Sequence, residues 1–598
     1  MVTVKVRKSV EGVYQTFREI HRQEKGLIAY GFLHAILAGV CTYISLLFIE
    51  SVFVQLERRS GIWNTGIVSM GILWCVLSLA MLFCKRQYDS RLFPGFLGFV
   101  NQVAKVSMER PYSDTMDAGI LALAHQAQNA VSGSGVGLHK IMTSAMEGLG
   151  NMIGCISAGA VLGRINWWIP LYCFILIIIS NWVLLLSKKI QLNYQKVVDE
   201  NQRKYMNFHL MISDFVYGKD IRLLKVADWL LKRFEEVQGA GIEILKKICE
   251  KTWKYSVLEI TIVFMREGGI VVYFVVMLMR GYVPASEFIV LLMGLRTFSD
   301  YGNRLMGNIT DIHTQEKYVE SYFEYIQLAE KEEPEPEGNW TLQSIEFCDV
   351  SFKYPGSEQW VLRNFSLKIE QGEKIALVGL NGAGKTTVVS LLCRFFEPTE
   401  GCILTNHIPI TEIPIKDYYK LLAAVFQDAT VFAFSLWENI TMSRVSKNAY
   451  NDFSKVQEVL NTIGLAEKID LNTDFIQQNV SKRFDEKGMN FSGGEQCKLV
   501  LARALYKNAP CILLDEPTAA LDPIAEKELY EMIGEACKDK TMIFISHRMA
   551  SARFCDRIIF LKEGKIIEDG TFEELLTEEG EYAHLFEMQA RYYEEKSR

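Results

Sequence analysis

Gly379-Leu380-Asn381-Gly382-Ala383-Gly384-Lys385-Thr386 follows the apolar run Ile375-Ala376-Leu377-Val378 and opens an amphipathic stretch from Thr387 to Phe396. Strand, glycine loop and helix in that order are the setting the G-x-x-x-x-G-K-[ST] pattern needs. In such a loop backbone N–H groups and a helix N-terminus meet phosphate oxygens. Lys385 is expected to reach the outer phosphates of a nucleotide, and Thr386 to ligate Mg2+. A plain tight turn calls for neither three glycines nor the Lys-Thr pair.

A second strand, Cys511-Ile512-Leu513-Leu514, ends in Asp515-Glu516. Phosphoryl transfer uses two carboxylates in this position, so Asp515 is expected to help hold the metal and Glu516 to orient or deprotonate the attacking water. The combination with the upstream loop makes this pair specific, since Asp-Glu after a strand is common alone.

Ahead of this half lie some 300 residues of hydrophobic spans. About 20 apolar residues cross a bilayer, and six segments qualify: 27–56, 63–84, 141–163, 168–187, 256–279 and 286–307. The segment before the first span carries Lys5, Arg7, Lys8, Arg18, Arg22 and Lys25, and residues 188–255 carry 14 Lys or Arg. The short turns offer only Arg58, Arg59, Arg164 and Arg280. That asymmetry places the N-terminus, both long connections and the nucleotide half in the cytoplasm. No cleavable signal peptide fits the first apolar run. Val4 to Gln23 mixes basic and apolar residues like a helix lying at the membrane interface, and it is too short for an N-terminal protease domain.

The connections 85–140 and 188–255 are rich in helix formers and are expected to prolong the spans as helices. Each should turn back through a short tip, at Met116 to Ala127 around Gly119 and at Gly218-Lys219-Asp220-Ile221-Arg222. Ionisable residues inside spans are costly and mark function by default; they are Glu50, Glu147, Glu259, Arg266, Glu267 and Arg296. Glu267 and Arg296 fall at similar depth, which suggests a pair facing a polar translocation cavity that Arg266 and Glu147 also line.

Bulk composition agrees with a two-part chain. Of 598 residues 49% are apolar and 23% charged, averages that conceal the membrane half and the soluble half. The net charge of -7 is small for this length and implies no nucleic-acid partner. Thirteen scattered cysteines without a C-x-x-C pair read as reduced thiols rather than a disulfide framework or metal site. The acidic, proline-punctuated Glu330-Lys331-Glu332-Glu333-Pro334-Glu335-Pro336-Glu337 reads as a linker. The expected division is an interfacial helix over 1–26, a six-span domain over 27–315, a linker over 316–341 and a nucleotide-binding domain over 342–598. The fold class is multidomain: an all-α six-helix transmembrane domain followed by an α/β P-loop ATPase domain.

Between the loop and the carboxylates stands Phe491-Ser492-Gly493-Gly494-Glu495 before a helical run from Lys498 to Leu505. Ser492 and Glu495 form an ordinary capping box, which leaves the two glycines unexplained. Here the chain resembles the ATP-binding cassette family, whose Ser-Gly-Gly at a helix start contacts the γ-phosphate held by the opposite subunit. Tyr354 in Phe352-Lys353-Tyr354-Pro355 matches the family's adenine-stacking aromatic. Gln427 in Val425-Phe426-Gln427-Asp428 matches the glutamine at the metal and water. Ala520-Leu521-Asp522 matches the loop that communicates across the dimer, and Ser546-His547-Arg548 supplies the γ-phosphate histidine.

The resemblance covers the whole chain, since six spans followed by one cassette look like an exporter half-transporter. It implies ATP and Mg2+ as cofactors, with Glu516, His547 and Gln427 catalytic, and Thr386, Gln427 and Asp515 around the metal. Tyr354, Gly379, Asn381, Gly382, Ala383, Gly384, Lys385, Thr386, Thr387, Ser492, Gly493, Gly494 and Asp522 would contact nucleotide. It further implies a second half-transporter, identical or related, and a multi-pass place in the bacterial plasma membrane. The expected activity is ATP-driven export of a peptide, lipid or amphipathic small molecule by alternating access. An importer of siderophore type with the same architecture, and one half of a heterodimer with unequal ATP sites, stay open. One departure stands out: where the family commonly has Leu before Ser and Gln after the second Gly, this chain has Phe491 and Glu495, and a carboxylate near phosphate should weaken that contact slightly by like-charge repulsion.

Overall fold

The computed structural model describes residues 14–57, 65–131, 133, 135–214, 217–328, 340–427, 430–444, 450–466, 469, 478–481, 486, 488–517 and 523–595. The chain divides into two compact units, Met1–Glu109 with Ala122–Ala329, and Arg110–Leu121 with Glu330–Arg598. Residues 1–13 of the expected interfacial helix, the expected linker's acidic stretch, and Asp522 lie outside the described residues.

The first unit is helical. A short helix over 14–23 (α1) leads to α2 (Leu27–Glu57), α3 (Thr65–Glu109), α4 (Ala118–Val131), α5 (Gly137–Gly163) and α6 (Trp168–Ser213). It closes with α7 (Gly218–Leu224), α8 (Ala227–Met279) and α9 (Ala285–Gln327). Five stretches, α2, α3, α5, Trp168–Tyr194 of α6, and α8, are long and apolar enough to cross a membrane. The sixth expected span lies in α9, whose apolar run is interrupted by Arg296, Asp300 and Arg304. On α3 the side chains of Ile72, Val76, Leu79, Leu82 and Phe83 point outward, a face suited to lipid rather than water. With five such helices, this is an integral membrane unit.

Small residues set how closely these helices approach, as packing in lipid requires. A Cβ on Gly154 of α5 would stand 2.7 Å from the Tyr301 ring of α9. Tyr301 in turn shares a 2.6 Å hydrogen bond with Thr42 of α2, tying three helices together. A second apolar cluster gathers Ile20 of α1, Phe96 and Phe99 of α3, Ile141 and Met142 of α5, and Tyr322 of α9.

Both long connections continue their spans as helices, as their composition predicts. The first tip turns earlier than Gly119, through a 3-10 turn at Tyr112–Met116. Asp117 is the reason: its Oδ1 accepts from Gly119 N at 2.7 Å and Ile120 N at 3.1 Å, capping α4 and drawing Gly119 into the helix. The second tip is α7, ending at Lys225 in the left-handed conformation. Leu223, Leu224 and Trp229 beside it are exposed.

The second unit contains two sheets. The antiparallel sheet orders β1 (Ser344–Phe352), β2 (Leu362–Glu370), β4 (Glu400–Thr405) and β5 (Ile408–Pro409) as β2-β1-β4-β5. The other comprises β3 (Lys374–Gly379), β6 (Leu422–Val425), β7 (Cys511–Asp515), β8 (Thr541–Ser546), β9 (Arg557–Lys562) and β10 (Lys565–Gly570), in the order β10-β9-β3-β8-β7-β6. Strands β6, β7, β8, β3 and β9 are parallel, and β10 returns antiparallel. The central strands β3, β7 and β8 are buried along nearly their whole length, which explains their unbroken apolar runs. Ligands of such sheets collect at the carboxyl ends of the strands, and β3, β7 and β8 end in Gly379, Asp515 and Ser546. Within this unit Tyr112 of the first tip rests against Phe395 and Phe396, with ring centroids 4.9 and 5.9 Å apart.

Candidate functional site

The glycine loop leaves β3 through a backbone that only glycine tolerates. A Cβ on Gly379 would lie 2.2 Å from Leu561 O, and Gly384 sits at φ +103 with Leu362 Cδ2 only 2.7 Å from a hypothetical Cβ. The helix Lys385–Leu392 starts there, so the loop's backbone N–H groups and the helix N-terminus face one space. Lys385 is 4% exposed. Its ammonium donates to Gly379 O at 2.9 Å and Leu380 O at 3.0 Å, folding over the loop. Burial lowers its pKa from the usual lysine value, while the Glu516 and Asp515 carboxylates pull the other way.

Around this loop is a cavity of 1060 Å³ lined by Tyr354, the glycine loop through Thr387, Gln427, Glu516 and His547. The Tyr354 hydroxyl shares a 3.0 Å hydrogen bond with Thr387 Oγ1, and its ring packs edge-on against Phe352 and Phe396. Glu516 follows β7 with φ +47, a strained conformation for glutamate, held by its N–H on Ile545 O at 3.2 Å. Its carboxylate touches His547 Nε2. Burial lowers the His547 pKa below 6.5, and the Lys385 charge lowers it further, against the raising pull of Glu516. The net direction favours the uncharged imidazole.

The cavity thus brings together Tyr354, Gly379, Asn381, Gly382, Ala383, Gly384, Lys385, Thr386, Thr387, Gln427, Glu516 and His547. Asp515, buried at the end of β7, is not among its lining residues. Ser492, Gly493 and Gly494 do not line it either. Ser492 caps the helix Gly493–Lys507, and Glu495 Oε2 accepts from Ser492 N at 2.8 Å. The unusual carboxylate is thus turned back onto the helix start. The lining also holds Gln359, Val361, Met549, Leu585 and Gln589, which carried no motif. Met549 lies two residues past His547, whereas Gln589 is 42 residues away and has no sequence signal.

The fit to a nucleotide rests on this chain's own geometry. A buried ammonium inside a cradle of backbone donors, in a cavity of that volume, suits a polyphosphate. Among the described residues no cluster of three His, Cys, Asp or Glu could hold a metal alone. Thr386 and Gln427 line the cavity and Asp515 ends β7; this oxygen-rich set with one carboxylate suits Mg2+, which is bound through one or two carboxylates together with phosphate and water.

In the membrane unit the ionisable residues pair differently from expectation. Glu267 meets Arg266 at 3.1 Å, not Arg296. Arg266 is fully buried and also donates to Asn303 Oδ1 at 3.4 Å. Arg296 is exposed because α9 packs through Leu291, Gly294, Leu295, Phe298 and Gly302, a stripe that leaves residue 296 outside. Glu50 bonds Arg164 at 2.7 Å at the end of α5. Glu147 is exposed on α5, so the four residues expected around one cavity do not assemble as a group.

Comparison with known proteins reaches both the cassette and the helical part of the chain. Residues 362–519 match the model of the ABC transporter family. This is an ABC transporter domain. A subtilin transport ATP-binding protein of Bacillus subtilis is 31% identical over 401 residues, 64% of this chain and 62% of that protein. An ATP-dependent lipid A-core flippase of Burkholderia orbicola is 36% identical over 265 residues, 44% of this chain and 43% of the flippase. The matched regions therefore span less than two thirds of either relative. The structure of a bacterial Atm1-family ABC exporter with ATP bound superposes with a TM-score of 0.72 at 18% identity, covering 96% of this chain and 99% of that one. The fold, from first helix to last strand, is that of an ABC exporter.

Proposed function

We propose that this chain is one half of an ATP-driven exporter in which ATP hydrolysis by the cassette moves a peptide, lipid or amphipathic molecule out of the cytoplasm. The observation that carries this reading is the single cavity holding Lys385, Glu516, His547 and Gln427 beneath a glycine loop, in a chain with an ABC exporter fold. Lys385 and the loop amides would grip the phosphates, and Tyr354 would stack on the base after releasing Thr387. Thr386, Gln427 and Asp515 would hold Mg2+, which when bound neutralises phosphate charge and sets the leaving group. Glu516 takes the proton of the attacking water, and neutral His547 holds that carboxylate and faces the outer phosphate.

Two copies, or this chain and a related one, complete the machine. Ser492, Gly493 and Gly494 start a helix outside the cavity, and in this reading they meet nucleotide held by another subunit. The exposed Leu223, Leu224 and Trp229 at the second tip likewise call for cover by a second chain. Nucleotide that binds the closed cassette pair better than the open one shifts the membrane helices outward, and hydrolysis resets them. We place the N-terminus and the cassette in the cytoplasm and the helices in the plasma membrane.

The cargo stays at the level of class. Subtilin and lipid A-core probes, named by the relatives, test it: inside-out vesicles carrying the chain should accumulate one of them with ATP, and vesicles carrying Glu516→Gln should not. Uptake only into right-side-out vesicles would replace export with import.

A further inference from the structure

The loop bearing His547 is short, and nearly all its backbone groups are bound by side chains. Ser546 Oγ accepts from Arg548 N at 2.9 Å, and Ser551 Oγ donates to Arg548 O at 2.6 Å. The groups on either side of Arg548 are taken by a single residue from the last helix, Glu581–Glu595. Gln589 Nε2 donates to His547 O at 2.9 Å, and Gln589 Oε1 accepts from Met549 N at 3.0 Å. Two turns earlier on the same helix, the Tyr582 hydroxyl donates to Met549 O at 3.2 Å. Positions 582 and 589 are seven apart, so both lie on one face, and Leu585 between them lines the cavity beside Gln589.

We infer that Gln589 is a positioning residue for ATP hydrolysis: its carboxamide clamps the backbone of His547 and Met549 and so sets where the His547 imidazole stands against Glu516. The inference deepens the proposed function and rests on it. An amide suits the task because one group must donate to a carbonyl and, about two ångströms along the same side chain, accept from an N–H. A glutamate in its place would accept from Met549 N but oppose the His547 carbonyl, and a methionine would fill the space with neither bond. The backbone groups so released lie next to the cavity, where water can satisfy them. The fold is then kept while the imidazole loses its fixed direction, and a catalytic contact misplaced by about an ångström costs on the order of 10²-fold.

The cavity offers a further reason to assign the clamp to catalysis rather than stability. Tyr582 is fully buried among Phe560 and Phe572 and, together with Phe586 against Phe572 and Glu581 paired to Lys562, anchors the helix without Gln589. Gln589 is half-buried at the rim and adds little apolar cover, and both ends of its carboxamide are directed at the histidine loop.

The test uses the full chain in lipid vesicles, comparing wild type, Gln589→Met, Gln589→Glu and Tyr582→Phe for kcat, KM for ATP and melting temperature. The clamp predicts that Gln589→Met and Gln589→Glu lower kcat by about 10- to 100-fold with KM within about threefold and melting temperature unchanged within about 2 °C. Tyr582→Phe should shift melting temperature more than kcat. A Gln589→Met protein with wild-type kcat, or one whose kcat falls only in step with its melting temperature, overturns the inference. Wild-type protein without ATP turnover would instead overturn the proposed function, so the two failures are distinguishable.

Discussion

Replacing Glu516 by Gln separates nucleotide binding from hydrolysis. The substitution keeps side-chain volume, and the strained backbone at φ +47 remains held by the bond to Ile545 O. What it removes is a negative charge and a proton acceptor. Loss of a general base costs about 10²- to 10⁴-fold in rate, about 2.7 to 5.5 kcal/mol at the transition state. Binding should move the other way. The phosphates are gripped by Lys385, the loop amides and a helix N-terminus, none of which is altered, and Glu516 is the carboxylate in the same cavity that opposes them. Two unit charges about 6 Å apart at an effective dielectric near 20 interact by about 3 kcal/mol before screening. Even a fraction of that makes ATP affinity equal to wild type or up to about tenfold higher. Phosphate release from vesicle-embedded protein and equilibrium binding of ATP with Mg2+ measure the two arms. Turnover within tenfold of wild type, or an affinity loss of tenfold or more, would refute the role assigned to this carboxylate.

Other expected outcomes follow from single contacts. Gly564, at φ +75, sits where a Cβ would lie 2.2 Å from Val361 O, and its N–H bonds Ala383 O at 3.1 Å; Gly564→Ala should cost about 2 to 4 kcal/mol and weaken ATP binding without touching nucleotide, as thermal unfolding and binding together would show. Glu495→Gln keeps a side chain able to close the capping box on Ser492, so stability should hold within about 0.5 kcal/mol while kcat/KM rises about two- to tenfold through relief of like-charge repulsion; an unchanged kcat/KM would show that the turned-back carboxylate never meets phosphate. The pKa of His547 is lowered from 6.5, so the folded cassette keeps it neutral as pH falls through 6.5 and protonates it only below that. Its contribution to stability is then present above pH 6.5 and lost as pH falls to the folded value, and kcat/KM, which reports the free protein, should show no acid limb from this group at pH 6.5 or higher. An acid limb with an apparent pKa above 6.5 would contradict the burial argument.

The legible parts of this protein were those whose physics is local. Gly379, Gly382 and Gly384 declare backbone conformations, and Lys385-Thr386 declares charge, so loop and helix could be read from the stretch Gly379 to Thr386 alone. Hydropathy alone marked helices that the fold contains, including α9, although Arg296 and Asp300 break its apolar run. What depended on tertiary rotation was not legible. The choice of Arg266 over Arg296 as partner of Glu267 follows from which stripe of α9 faces inward, and neighbouring arginines cannot be told apart by depth along a helix. The early turn at Tyr112 hinged on one cap, Asp117, outweighing the small residues around Gly119. Gln589 was silent because a glutamine in a C-terminal amphipathic helix gains meaning only from a histidine loop 42 residues earlier.

The central claim is that this cassette hydrolyses ATP while anchored in a bilayer, and its most direct test is ATP turnover by the purified full chain in lipid vesicles with Mg2+. The account predicts steady hydrolysis by wild type and at least about a hundredfold less by Glu516→Gln despite retained ATP binding. A wild-type chain that fails to bind ATP, or that hydrolyses it no faster than Glu516→Gln, would contradict it.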